Sequence, residues 1–409
     1  MNILFVLYYD FSANSAIHVH NFANQLTKLQ HATAVAVPRN KDSISVLGER
    51  LYSIAEFAEV APPWRNLFPN GRSPDIVHAW TPRENVRRFC QQLASISRFN
   101  LIVHLEDNEE AIVKAYLGGQ FQKGTTQKAP FEVPLHLSHP ERYRQFLGQA
   151  SGVTIIMDRL EEFVPEGTPS VVVWPGADPK LFQPRGRNEV FRRQLGIPLN
   201  STVLCYTGYV NAANALEVRS LYLAVAMLNR EGTPTTLVRA GRDYYPFLGS
   251  DDQWARKYCL ELGYVKKHTD IPLVLSLADI LIQPGKNSNF NDYRLPSKLP
   301  EFFAMARPII LPHTNVGRFV KHGEHAWVLP KVDAMGIVTA VQYLQKNHSL
   351  VKRLSEGARE FYEKHFQWEM NTVKLEQFYR TVLGGKHMTN EAVEKGPDHP
   401  LSRPILTRT

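Results

Sequence analysis

Only three cysteines, Cys90, Cys205 and Cys259, are scattered through 409 residues, with no paired spacing. That excludes a disulfide framework and a cysteine-based zinc motif, and it fits a reducing cytoplasm. No apolar run approaches the ~20 residues that a bilayer-crossing helix requires. The apolar start lacks a basic flank, because the first Lys or Arg is Lys28. It therefore reads as a buried strand from Ile3 to Tyr8 and not as a signal peptide. Asp-x-Asp pairs are missing as well. His18, His20 and His104, together with Glu106 and Asp107, offer no close ligand spacing, so no metal and no bound cofactor is expected. An interleaved aromatic and basic motif is also lacking, which argues against nucleic acid as a partner.

What is present is an excess of positive charge, formally +8. Such a balance favours acidic partners such as nucleotide phosphates or anionic lipid head groups. A simple excess of solvated lysines is the better account of much of it. The length suits two domains better than one core.

Short apolar runs alternate with helical patterns along the first half. NILFVLYY is followed by a helical stretch from about Ala16 to Leu29, with Ile17, Phe22, Leu26 and Leu29 on one face. TAVAVP, DIVHAW, NLIVHLE, VTIIM and SVVVWP then read as buried parallel strands. After a connector rich in Pro, Gly and Arg (Phe182 to Asn188), the alternation restarts with STVLCYTG, TTLVRAG, LADILIQP and RPIILP. The expected fold is α/β, with two Rossmann-like domains at 1–183 and 184–365 and ligands outside the carboxyl ends of the strands. A helix over 366–383 follows, available to cross back to the first domain, and 384–409 reads as a disordered tail. The loop Gly118 to Pro134 has no periodicity and reads either as a lid or as a surface excursion.

The segment Pro284 to Pro312 carries the most chemistry. It reads as loop, short helix and buried strand, with Ser297 as N-cap and Pro300 in the first turn. Lys298 and Arg294 would offer cations beside free helix amides, which is the chemistry of a phosphate site. Glu301, three residues beyond Lys298, shares its face and can accept hydroxyl hydrogen bonds. Together they suggest a nucleotide or nucleotide-sugar, and the competing reading is an ordinary solvated helix start. Gly208 and Gly241 end strands in turns that bring backbone toward a ligand, with Arg242 directly after the second. Glu106 and Asp107 follow a strand and suit either sugar hydroxyls or a solvated helix start.

In this order the elements resemble a GT-B-fold retaining glycosyltransferase of the family 4 type (glycosyl transferases group 1), over nearly the whole chain. The matching stretches are DIVHAWTP, PGADPKLFQP, CYTGYV, DIPLVLSLADILIQP and KLPEFFAMARPII. The resemblance implies two facing Rossmann-like domains with an interdomain cleft, a nucleotide-diphosphate sugar as co-substrate, and no metal. Glu301 matches the second of the family's two glutamates, while Tyr293 stands at the first. Tyr209 replaces the usual arginine after the glycine turn, and Ala212 to Asn214 covers the usual lysine region. Asn14, Ser15 and Ala16 replace the Gly-Gly turn, and Glu106-Asp107 stands for the usual His-Asp.

The resemblance thus implies catalytic roles for Lys298, Glu301, Glu106 and Asp107. Donor binding would fall to Gly208, Tyr209, Arg242, Arg294 and Ser297 with Lys298 and Glu301, and the acceptor side to Asn14, Ser15 and His18. The expected enzyme is a cytoplasmic transferase acting on a glycan or lipid-linked acceptor, its basic surface favouring peripheral contact with an anionic membrane. A catalytically degenerate sugar- or nucleotide-binding subunit and a sugar-nucleotide epimerase of the same fold stand as alternatives.

Overall fold

The structure, a computed structural model, describes residues 1–116 and 132–384. Most of the Gly118 to Pro134 loop and all of the tail beyond Gly384 lie outside the described residues. The chain forms two compact units, one from Met1–Pro175 and Trp368 onward, the other Gly176–Gln367.

The first unit is built on seven strands, β1 (Asn2–Leu7), β2 (Ala32–Val37), β3 (Ser53–Glu56), β4 (Ile76–Trp80), β5 (Asn100–Leu105), β6 (Gly152–Ile155) and β7 (Ser170–Val172). Their spatial order is β3-β2-β1-β4-β5-β6-β7, and every pairing is parallel. β1 sits centrally, with Ile3 in register with Thr33 of β2 and with Ile76 of β4. All six of its residues are buried, which is why the run is apolar on both faces. The helix Asn14–Lys28 places Ala16, Val19, Phe22, Ala23 and Leu26 in this core. Burying a side chain such as Phe22 stabilises the unit by roughly 1.5–3 kcal/mol. The helix Trp368–Gly384 belongs to the same core: Trp368 meets Phe22 edge-on at 5.1 Å, and Phe378 leaves no room for a side chain at Gly152.

The second unit carries β8 (Thr202–Thr207), β9 (Thr235–Ala240), β10 (Cys259–Gly263), β11 (Ile280–Ile282), β13 (Ile309–Pro312) and β14 (Trp327–Leu329) in the order β10-β9-β8-β11-β13-β14, again parallel. A small antiparallel pair, β12 (Gly285–Lys286) with β15 (Lys331–Val332), lies beside it. The long helix Ala215–Arg230 covers one face, burying Val218, Leu221, Tyr222, Val225 and Leu228. Both units are therefore doubly wound α/β sheets of Rossmann type, as the alternation of apolar runs predicts.

Three strands of the two main sheets escape the sequence reading, as do the short β12 and β15. β3, β10 and β14 are edge strands whose side chains are largely half-buried or exposed; polar residues interrupt β3 and β10, and β14 is apolar but only three residues long. The division between units falls after Pro175, where the sequence reading puts it after residue 183. Phe182 explains the difference: it is wholly buried, and its ring lies 5.4 Å from that of His268 in the second unit.

Candidate functional site

In a doubly wound sheet, ligands bind outside the carboxyl ends of the strands where the winding reverses. In the second unit that point lies between β8 and β11. Gly208 follows β8 with φ +152°, and Gly241 follows β9 with φ +144°. The two turns nest, since a Cβ on Gly241 would fall 2.0 Å from the Gly208 carbonyl oxygen. Only glycine meets both the backbone angle and the clearance. Asn214 closes the first turn by donating to the Tyr209 carbonyl at 2.8 Å, so the residue in the usual lysine region serves the backbone here.

Lys298 reaches this turn from the chain before the helix Leu299–Ala304. Its Nζ donates to Gln283 Oε1 at 3.3 Å, at the end of β11, and lies 4.5 Å from the Tyr206 ring centroid. A Cβ on Gly208 would sit 3.0 Å from that Nζ. Burial, and after it the nearby Arg294 charge, lower the Lys298 ammonium to about 7, although Glu301 and Glu217 pull the other way. An ammonium so placed gains from any anion that joins it.

The Ser297 cap is a correction. The helix starts at Leu299 with Lys298 as its N-cap residue, no side chain caps it, and Ser297 is exposed one position too early. Pro300 does occupy the first turn. The helix has only six residues, so the cationic side chains, and not its amides, define the chemistry of this corner.

Arg294 is held by Asn291, whose Oδ1 accepts from its NH2 at 2.9 Å, and it stacks on Phe290 at 4.0 Å. The Nδ2 of Asn291 donates to Glu217 at 2.7 Å. Burial raises the Glu217 carboxyl; the Asn291 bond and the charges of Arg294, Lys298 and Lys286 oppose it. Glu301 accepts from His268 Nε2 at 2.6 Å. Tyr209 and Arg242 meet through Tyr264: the Arg242 guanidinium lies 4.1 Å above that ring, and Tyr209 stacks 6.5 Å from it. Gln283, Glu217, Asn291 and His268 escaped the sequence reading. Gln283 alone had a local signal, its position at the end of an apolar run.

In the first unit the winding reverses between β1 and β4, and Ser15, His18 and Glu106 converge there. Glu106 accepts from the Ser15 hydroxyl, from His18 Nδ1 at 3.1 Å and from Trp80 Nε1 at 2.7 Å. Burial would raise its carboxyl, yet His18, His104 and Ser15 hold it down to about 2. Such a carboxylate is suited to fixing its neighbours and holding charge, not to giving up a proton near neutrality. Asp107 adds negative charge beside Tyr8 and Arg83, whose guanidinium lies 3.8 Å over the Tyr8 ring. Asn14 stands exposed at the start of its helix. Thr81, directly after β4, is buried at φ +82°, a strained conformation for a β-branched residue and one that clusters at working sites.

The other two histidines of the sequence reading go elsewhere. His20 bonds Tyr52, and burial lowers it to about 4; His104 bonds Thr154 and stacks on Trp80 at 4.0 Å. Among the described residues no three His, Cys, Asp or Glu side chains gather as a metal site, and no helix is long and apolar enough to cross a membrane.

No family model matches the chain. It is 26% identical over 238 residues to a D-inositol 3-phosphate glycosyltransferase of Corynebacterium glutamicum (strain R), a stretch that is 54% of this chain and 53% of the relative. The chain thus spans about half the length of the curated relative it matches. Among solved structures it is similar to sucrose-phosphate synthase (tll1590) from Thermosynechococcus elongatus, with TM-score 0.68 and 15% identity over 94% of this chain and 100% of that one. It is also similar to Anabaena Alr3699/HepE in complex with UDP-glucose, with TM-score 0.66 and 12% identity over 93% and 100% of the two chains. At these identities the likeness to the solved structures is one of fold.

Proposed function

We propose that this chain, which has the GT-B fold of glycosyltransferases, moves a sugar from a nucleotide-diphosphate donor to a glycan or lipid-linked acceptor. One observation carries the reading: the Lys298 ammonium sits against the glycine turn of β8 and the end of β11, where a doubly wound sheet takes its ligand. UDP-glucose in the HepE structure and the name of the curated relative support a nucleotide-sugar donor.

The leaving diphosphate gains negative charge as the glycosidic bond breaks. Fixed cations lower that barrier, because they stabilise the departing group more than the intact donor. Lys298 and Arg294 supply them, so no metal is required for this step in our reading. Glu301 would receive ribose or sugar hydroxyls through the oxygen that His268 leaves open. From the resemblance to retaining family 4 enzymes we assign front-face departure and attack through an oxocarbenium-like state, with retention; among the described residues no pair of carboxylates demands double displacement. In the first unit, Glu106 would orient Ser15 and His18 toward the acceptor, and the positive surface favours an anionic acceptor or membrane face.

A thermal-shift panel of UDP-, GDP- and ADP-sugars tests the reading, followed by transfer and hydrolysis assays. Donor at a hundred times its dissociation constant should stabilise the second unit by roughly 2.7 kcal/mol. No shift with any of them overturns it. Binding without transfer or slow hydrolysis favours a catalytically silent subunit, which Tyr209 and Asn214 in place of the family's basic pair would suit.

A further inference from the structure

The donor site proposed above contains a pairing that neither the motif nor the strand pattern announces. The Nε2 of His268 lies 2.6 Å from Glu301 Oε1, and the Glu301 side chain is 15% exposed against 49% for His268. His268 opens a short 3-10 turn, His268–Asp270, and its ring packs against the wholly buried Phe182 at 5.4 Å. The ring is therefore held from behind while its edge holds the carboxylate.

We infer that His268 is a positioning residue, fixing Glu301 so that its second oxygen faces the donor hydroxyls and its charge stays off Lys298. This rests on the donor reading above. Two physical consequences follow from the pair. The hydrogen bond ties one carboxylate oxygen and leaves the other to accept, which gives a hydroxyl one orientation instead of several. The imidazolium also offsets a negative charge that would repel a diphosphate. Lys298 already feels Glu301 electrostatically, so an untethered carboxylate has a competing partner in the very ammonium that is meant for phosphate.

The groups that face the imidazole set its titration. Burial opposes its charge, but the Glu301 hydrogen bond, the Glu301 charge and Asp178 outweigh that and raise His268 above the ordinary histidine value. The tether is complete while His268 is protonated and weakens as pH rises through that raised value. Lys298 titrates near neutrality too and feels the Glu301 charge, so the cycle is repeated in a Lys298→Arg background, which stays charged at both pH values.

The test is a double-mutant cycle on the full chain, with UDP-glucose, GDP-glucose and ADP-glucose as probes and calorimetric dissociation constants at about pH 6 and about pH 8. His268→Ala should weaken binding about 10-fold, the scale of one lost charge-assisted hydrogen bond, in a protein that remains folded and whose melting temperature falls more at about pH 6 than at about pH 8. His268→Gln, which can still donate to Glu301, should recover most of that loss and show less pH dependence than the wild type. In a Glu301→Gln background, His268→Ala should add little. Wild-type affinity in His268→Ala overturns the inference, as does a loss that adds in full to that of Glu301→Gln. If the wild type binds none of the three probes while remaining folded, the donor reading falls, and this inference with it. If it binds and only the cycle fails, the donor reading stands alone.

Discussion

The ammonium of Lys298 and the side-chain oxygen of Gln283 lie 3.3 Å apart across the reversal of the second sheet, with the Tyr206 ring beneath the lysine. That contact ties a loop residue to the end of β11 and holds a cation beside the glycine turn of β8. It also leaves the cation poorly solvated, the state in which an incoming phosphate gains most from it.

Lys298→Ala should lower turnover by roughly 10²–10³-fold, the scale of one lost preorganised donor, without lowering the melting temperature, because burial disfavours the lysine's charge. Arg294→Ala should also lower it, since Asn291 and Phe290 hold that guanidinium in place. Steady-state kinetics with the donor chosen by thermal shift decide this; near-wild-type turnover in Lys298→Ala places the donor elsewhere.

Lys298 also predicts a pH dependence. Its value in the folded chain, about 7, lies below the unfolded one near 10.4. Between those values the unfolded chain holds the extra proton, so this group's contribution makes stability rise with pH. Donor affinity should move in the opposite direction, falling above about pH 7 as the ammonium is lost. Lys298→Arg, charged throughout, should flatten both trends in paired melting and binding titrations.

The two glycine turns should separate structure from binding. Gly241→Ala places a Cβ 2.0 Å from the Gly208 carbonyl oxygen at φ +144°, and should destabilise by about 2 kcal/mol or more. Gly208→Ala, at φ +152°, meets the Lys298 ammonium and the Tyr206 hydroxyl, both side-chain atoms and neither of them backbone. It should cost donor affinity more than Gly241→Ala does at matched stability. Denaturant midpoints alongside dissociation constants resolve the two, and equal effects on both quantities would contradict the assignment.

In the first unit, Glu106→Gln keeps the shape and removes the charge that His18, Ser15 and Trp80 share. It should destabilise by about 1–3 kcal/mol at neutral pH. The folded carboxyl titrates near 2 and the unfolded one near 4.3. The stabilisation is therefore present above the unfolded value and lost as pH falls from there toward 2. The gap between wild type and variant should narrow over that window, and a gap that stays constant down to about pH 2 refutes the coupling.

The sequence by itself determined the two doubly wound sheets. Strands buried on both faces must be apolar throughout, so NILFVL, VLCYT and IILP announce themselves without a partner in view. It also placed Gly208, Gly241 and Glu106 at strand ends, but it put Lys298 inside the first turn of a helix that starts only at Leu299. The edge strands β3 and β10 were not legible, because a half-exposed strand needs no continuous apolar run, and β14 was missed because its apolar run is only three residues long. The partners of the candidate groups were not legible either. Ser15 and Glu106 are 91 residues apart, Glu217 and Asn291 74, and His268 and Glu301 33. Local periodicity says that a strand is buried and leaves open which strand lies beside it. Only the strand order brings these side chains together, and burial and charge at that meeting then set the chemistry of Lys298 and Glu106.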